Sequence, residues 1–134
     1  MNKITAIVEK TDTGYSAYLP DVPGVATAAD TYSELRENVQ GAINLYVETA
    51  NEYKEEIPDI LKSEYIIEFK FDIQPFMEWM SKVMSQRGLS EIANMNESLL
   101  SQYASGKKKP GPKQLKRIEH AIHRFASDLK AISF

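Results

Sequence analysis

The side chains best suited to chemistry in this 134-residue chain are amides, hydroxyls and ammonium groups gathered in one stretch, "NESLLSQYASGKKKPGPKQLKRIEHAIHR", Asn96 to Arg124. Gln102 stands four residues after Ser98, with Ser101 and Ser105 beside them, and Lys107, Lys108 and Lys109 follow at once. A glutamine amide can bond an adenine edge through two hydrogen bonds, and a serine hydroxyl can meet either a donor or an acceptor. Lysine is a mobile point charge suited to phosphate. The chemistry this combination supports is recognition of nucleic acid by hydrogen bonding. Asn96, Glu97, Ser98, Ser101, Gln102, Lys107, Lys108 and Lys109 are therefore the expected DNA contacts. In the same stretch Lys113, Lys116, Arg117 and Arg124 raise the cations to seven, against only Glu97 and Glu119.

Other reactive residue types are present but poorly arranged. Two-metal hydrolysis needs several converging carboxylates. Asp12, Asp21, Asp30 and Asp72 are available, yet Asp12 and Asp30 fall where turns and caps favour aspartate anyway. His120 and His123 have the three-residue spacing of a metal pair but no further ligands, so they read as surface residues. Tyr15 and Tyr18 could stack bases, but their acidic surroundings argue for sheet surface and core. No catalytic residue, metal or cofactor is expected.

The chain as a whole is acidic, with formal net charge −3, but the charge is unevenly spread. Residues 1–72 carry six Lys/Arg against fourteen Asp/Glu, a net of −8; residues 73–134 carry ten against five, a net of +5. A change of sign this large suggests two modules with different partners, the basic one for nucleic acid and the acidic one for a basic protein. The absence of cysteine rules out disulfides and fits a reducing compartment. No early apolar run resembles a signal peptide, and no stretch approaches a membrane span, so a cytoplasmic protein is expected.

The elements that must position these residues follow from periodicity. "KITAIVE" and "YSAYL" alternate around the turn signal "TDTG" and predict a hairpin; "PDVPG" ends the second strand and "VATAA" forms a third. Leu35, Val39, Ile43, Tyr46 and Ala50 line one face of a helix that Thr31 and Glu34 open with a capping box. "YIIEFKF" alternates again. The fold class is α+β: a βββαβ single-sheet domain over residues 1–72, then an all-α helix-turn-helix domain over 73–134. In the second domain "IQPFMEWMSKVMSQRG" places Phe76, Met80, Val83 and Met84 at helical spacing, with Trp79, Met77, Met80 and Met84 expected to be core. Asn96 and Gly106 bracket a further helix, and Lys113–Ser133 reads as a long last one. Its Leu115, Ile118, Ile122, Phe125, Leu129 and Ile132 are spaced alternately three and four residues apart, the 3.5-residue period of a heptad pattern. Leu115, Ile118 and Ile122 are expected to close the small core, leaving Phe125, Leu129 and Ile132 for a homodimer or higher homo-oligomer.

Two resemblances join these readings. "LSEIANMNESLLSQYASGKKKP" resembles the helix-turn-helix core of the phage-repressor-like family, with "NESLLSQYASGKKKP" as recognition helix and exit. Asn94 stands where that family usually has glycine in the turn, a place where asparagine tolerates the left-handed backbone. "GYSAYLPDVPGVATAADTYSELRENVQGAINLYVE" resembles the HicB antitoxin family, through Pro20-Asp21-Val22-Pro23-Gly24 and Thr31-Tyr32-Ser33-Glu34-Leu35. Val25 departs from that family's frequent cysteine, and Ala29-Asp30 from its frequent glycine. The second resemblance implies a partial ribonuclease-H-like fold over about residues 2–70. It also implies neutralisation of a HicA-like basic toxin that cleaves messenger RNA, and repression of the pair's own operator DNA by the C-terminal module. It assigns no toxin-binding residue. The rival readings are a regulator with no toxin partner and, less favoured, a metal-dependent nuclease.

Overall fold

The computed structural model describes residues 1–134, which form two compact units, Met1–Asp72 and Ile73–Phe134. The chain is α+β, with one four-stranded mixed sheet and five α-helices.

In the first unit, β1 (Asn2–Lys10) and β2 (Tyr15–Tyr18) form the hairpin, with Val8 opposite Ala17 and Lys10 opposite Tyr15. Thr11 makes the turn twice over: its N–H donates to the Gly14 carbonyl at 2.9 Å, and its hydroxyl accepts from the Gly14 N–H at 3.0 Å. The loop Pro20–Gly24 folds over a fully buried Val22 and reverses at Gly24, whose φ of +93° is a backbone state that glycine tolerates. β3 (Ala26–Ala29) then returns antiparallel to β2. Gly14 permits this return, since a Cβ there would collide with the Ala29 carbonyl oxygen.

Helix α1 (Tyr32–Glu52) starts where Thr31 accepts from the Glu34 N–H at 3.1 Å. Its Leu35, Val39, Ile43 and Ala50 are buried, as are Ile4, Ala6 and Val8 of β1, so the helical and strand periods meet in one core. A 3-10 turn (Asp59–Leu61) leads into β4 (Tyr65–Phe71), which lies parallel to β1 and gives the strand order β3-β2-β1-β4. Tyr32 packs edge-on against Phe69 and Phe71, with ring centroids 5.7 and 4.8 Å away. Burial pushes the Tyr32 hydroxyl above its ordinary pKa, with Arg36 pulling weakly the other way. Tyr15 is buried and Tyr18 exposed.

The second unit contains α2 (Ile73–Met80), α3 (Gln86–Ala93), α4 (Glu97–Ser105) and α5 (Pro112–Lys130). The helical spacing of Phe76, Met80, Val83 and Met84 suggested one run, but the chain breaks it after Met80. The Ser81 hydroxyl donates to the Glu78 carbonyl, and Ser85 caps a new helix by accepting from the Gly88 N–H at 3.0 Å. Val83 is consequently 71% exposed. Leu89, Ala93, Met95, Leu100, Tyr103, Ile118 and Ala121 are buried. Leu115, expected in the core, is exposed, and Ala121 is buried instead. α3 meets the flank of α5 that carries Arg117, Ala121 and Arg124, and at 3.6 residues per turn Leu115 lies on the opposite edge of the apolar stripe. α5 ends at Lys130, so Ile132 lies beyond the helix.

Candidate nucleic-acid interface

The site is built on the turn between α3 and α4. α3 ends at Asn94 in the left-handed state, with φ 50° and ψ 49°. Met95 follows and is buried; its N–H donates to the Ser90 carbonyl at 3.1 Å, and its carbonyl accepts from the Ser90 hydroxyl. Asn96 then opens α4 by accepting from the Ser98 N–H at 2.8 Å. The side-chain oxygen of Asn96 thus serves the helix start. Leu100 and Tyr103 anchor α4 inward, with Leu99 half-buried. Gly106, at φ 83°, ends the helix, and the Lys108 N–H donates back to the Gln102 carbonyl at 3.2 Å. That bond ties the lysine loop to the end of α4.

The outer side of α4 forms one wall of an open polar groove of about 530 Å³, lined by Gln86, Glu97, Ser98, Ser101, Gln102, Ser105 and Lys107. Five of the eight expected contacts line it, namely Glu97, Ser98, Ser101, Gln102 and Lys107. Asn96, outside the lining, directly precedes Glu97, and the exposed Lys108 and Lys109 directly follow Lys107. The Ser105 hydroxyl donates to the Gln102 backbone carbonyl at 3.2 Å, while the Gln102 side chain lines the groove. Gln86, the first residue of α3, is the lining residue that the sequence reading missed. The signal for it was Ser85, whose cap sets the start of α3 and hence places residue 86 there.

The seven cations of the stretch do not act together. Lys116 pairs with Glu119 at 3.1 Å, and that contact holds the Glu119 carboxyl below its ordinary pKa. Arg117 donates to the Ala93 and Asn94 carbonyls, and Arg124 donates to the Ile92 carbonyl at 3.2 Å. Lys107, Lys108, Lys109 and Lys113 remain exposed and unpaired. A helix start, a row of hydroxyls and amides, and free ammonium groups at the far end can hold a polyanion and hydrogen-bond what it displays.

Of the remaining candidates, Phe125 is half-buried, while Leu129 and Ile132 are 52% and 57% exposed. His120 and His123 are exposed on α5. No group of three or more His, Asp and Glu side chains is gathered where it could hold a metal ion, so Asp12, Asp21, Asp30 and Asp72 are not brought together. No helix is long and apolar enough to cross a membrane.

The family model described as the HicB-like antitoxin of bacterial toxin-antitoxin systems matches residues 4–98. The chain belongs to that family. The match takes in the sheet with α1, then α2, α3, the turn and the first two residues of α4. Ser101, Gln102 and all the lysines of the loop lie past its end. An uncharacterized 14.9 kDa protein from the rep-hol intergenic region of Haemophilus phage HP1 (strain HP1c1) is 43% identical over 51 residues, 38% of either chain. The match thus spans well under half the length of that relative.

Proposed function

We propose that this HicB-like chain is the antitoxin of a toxin-antitoxin pair and represses its own operon. Residues 1–72 would bind and neutralise a small basic toxin that cleaves messenger RNA, and residues 73–134 would read operator DNA through α3 and α4 as a helix-turn-helix. The observation that carries the DNA-reading part is the groove along α4. It combines an adenine-competent amide at Gln102, three hydroxyls and a lysine on one outward face, above an inward face anchored by Leu100 and Tyr103. The charge split supports the two-partner reading, with −8 available for a basic protein and +5 for a polyanion. The exposed Leu129 and Ile132, with half-buried Phe125, suit self-association, and a dimer would offer two α4 helices to half-sites about one DNA turn apart. In this reading the protein works in the cytoplasm, needs no cofactor and catalyses nothing.

Two experiments test the two halves. The gene beside this one should encode a short basic protein; the full chain should retain that protein, tagged, through a purification and should relieve its growth inhibition. The full chain should also bind a duplex from upstream of its own gene more tightly than a scrambled duplex. Failure of the first with success of the second would leave a regulator with no toxin partner. Failure of the second would remove repression from the reading.

A further inference from the structure

The turn that launches α4 is gripped from α5 by two arginines. The Arg117 guanidinium donates through Nε to the Ala93 carbonyl at 3.2 Å and through a terminal nitrogen to the Asn94 carbonyl, while Arg124 donates to the Ile92 carbonyl at 3.2 Å. Three successive carbonyls at the end of α3 are thereby engaged. These are acceptors that a helix leaves without intrahelical partners, and they lie at the negative end of its dipole. The arginines are seven residues apart, two turns along one face of α5, so both reach the same end of α3. We propose that Arg117 and Arg124 are positioning residues for α4: they hold the α3–α4 turn in the orientation that presents the groove, and they do not contact phosphate. The proposal rests on the DNA-reading function proposed above.

The geometry explains why arginine is used. One guanidinium spans two carbonyls that flank the left-handed Asn94, and so restrains the peptide plane between Ala93 and Asn94. α4 begins only two residues later, at the Asn96 cap. A change in that plane swings α4 as a body, and with it Ser98, Ser101 and Gln102. An ammonium group keeps the charge but lacks the planar fork that meets two acceptors at once.

The test uses the full chain with Arg117→Lys, Arg117→Gln and Arg124→Gln, measured by fluorescence anisotropy on operator and scrambled duplexes over a salt series, with melting temperatures recorded in parallel. Operator affinity should fall about tenfold for Arg117→Lys and Arg117→Gln, the scale of one lost charged hydrogen bond, with scrambled-duplex affinity and both salt slopes unchanged. A slope flattened by about 0.9, with both duplexes weakened equally, would make the arginines phosphate ligands and overturn the proposal. A lowered melting temperature with an unchanged operator-to-scrambled ratio would make them merely structural, and would also overturn it. If the unaltered chain shows no preference for any duplex, it is the DNA-reading function that fails. The grip is then judged by amide hydrogen exchange without DNA. Faster exchange at Met95 and Ser98 in Arg117→Lys, with α5 unchanged, upholds control of the turn, and unchanged exchange refutes it.

Discussion

The salt dependence of DNA binding tests the division of the basic residues most directly. Four lysines per protomer, at 107, 108, 109 and 113, are exposed and unpaired, while Lys116, Arg117 and Arg124 are engaged within the second unit. If each free lysine meets one phosphate, at about 0.9 units of log–log slope per contact, the slope is about −3.6 per protomer. All seven cations would give about −6.3. Between 50 and 200 mM salt the first value means a loss of about 150-fold in affinity per protomer, and the second about 6,000-fold. Lys108→Ala should bring the slope to about −2.7 and weaken operator and scrambled duplexes alike. Gln102→Ala should leave the slope alone and cost only the operator about 1–3 kcal/mol, or about 5- to 150-fold. Anisotropy titrations at four or more salt concentrations read all of these values. A slope near −6.3 would refute the withdrawal of the arginines from the DNA surface. An equal loss on both duplexes from Gln102→Ala would refute the placement of the reading face, and no effect from either change would refute the groove as the interface.

If the chain self-associates through α5 as proposed, the parent should sediment as a dimer, and Leu129→Asp, at a side chain 52% open to solvent, should sediment as a monomer without losing helix content. An unchanged mass would show that α5 is not the dimer contact. Gly14→Ala brings a Cβ against the Ala29 carbonyl and within 2.8 Å of the Asp30 Cα, and should destabilise the first unit by about 1–3 kcal/mol, or about 4–8 °C per kcal/mol in a thermal melt. A melt identical to that of the parent would refute the close approach of β3. Burial raises the Tyr32 pKa, so the neutral phenol's contribution to stability is complete below about pH 10 and is lost as pH climbs through the raised value. Urea midpoints should therefore fall from about pH 8 to about pH 10.5, and fall less in Tyr32→Phe; equal losses would argue against the desolvation of this half-buried phenol.

Local signals in the chain were sufficient for the element types and most of their ends. Alternation marked Ile4, Ala6 and Val8 as one face of a strand, and four-residue spacing marked Leu35, Val39 and Ile43 as one face of a helix; all six are buried. Thr31, Asn96 and Gly106 announced a start, a start and a stop, because a cap is an interaction over two or three residues and is written in the sequence where it acts. The left-handed Asn94 was legible through the helix-turn-helix resemblance, which places a glycine-favouring turn position there. The Pro20–Gly24 turn and the start of α1 also carried the family resemblance.

What the tertiary structure decided was which neighbour each face meets. Alternation in Tyr65–Phe71 showed a strand but not that it would run parallel to β1 at the sheet edge, since pairing partners lie far apart in sequence. The regular spacing on α5 favoured Leu115 over Ala121 for the core, yet α3 lies against the flank that buries Ala121. Gln86 joined the groove only once α3 and α4 were placed side by side. The arginines show the same limit for charge. By composition they counted equally with the lysines, but free carbonyls 23 to 32 residues away lie within hydrogen-bonding distance of them and not of the loop lysines. Periodicity states which side of an element is apolar and composition states how much charge a segment carries. The partners of either are set by the three-dimensional distances between groups remote along the chain.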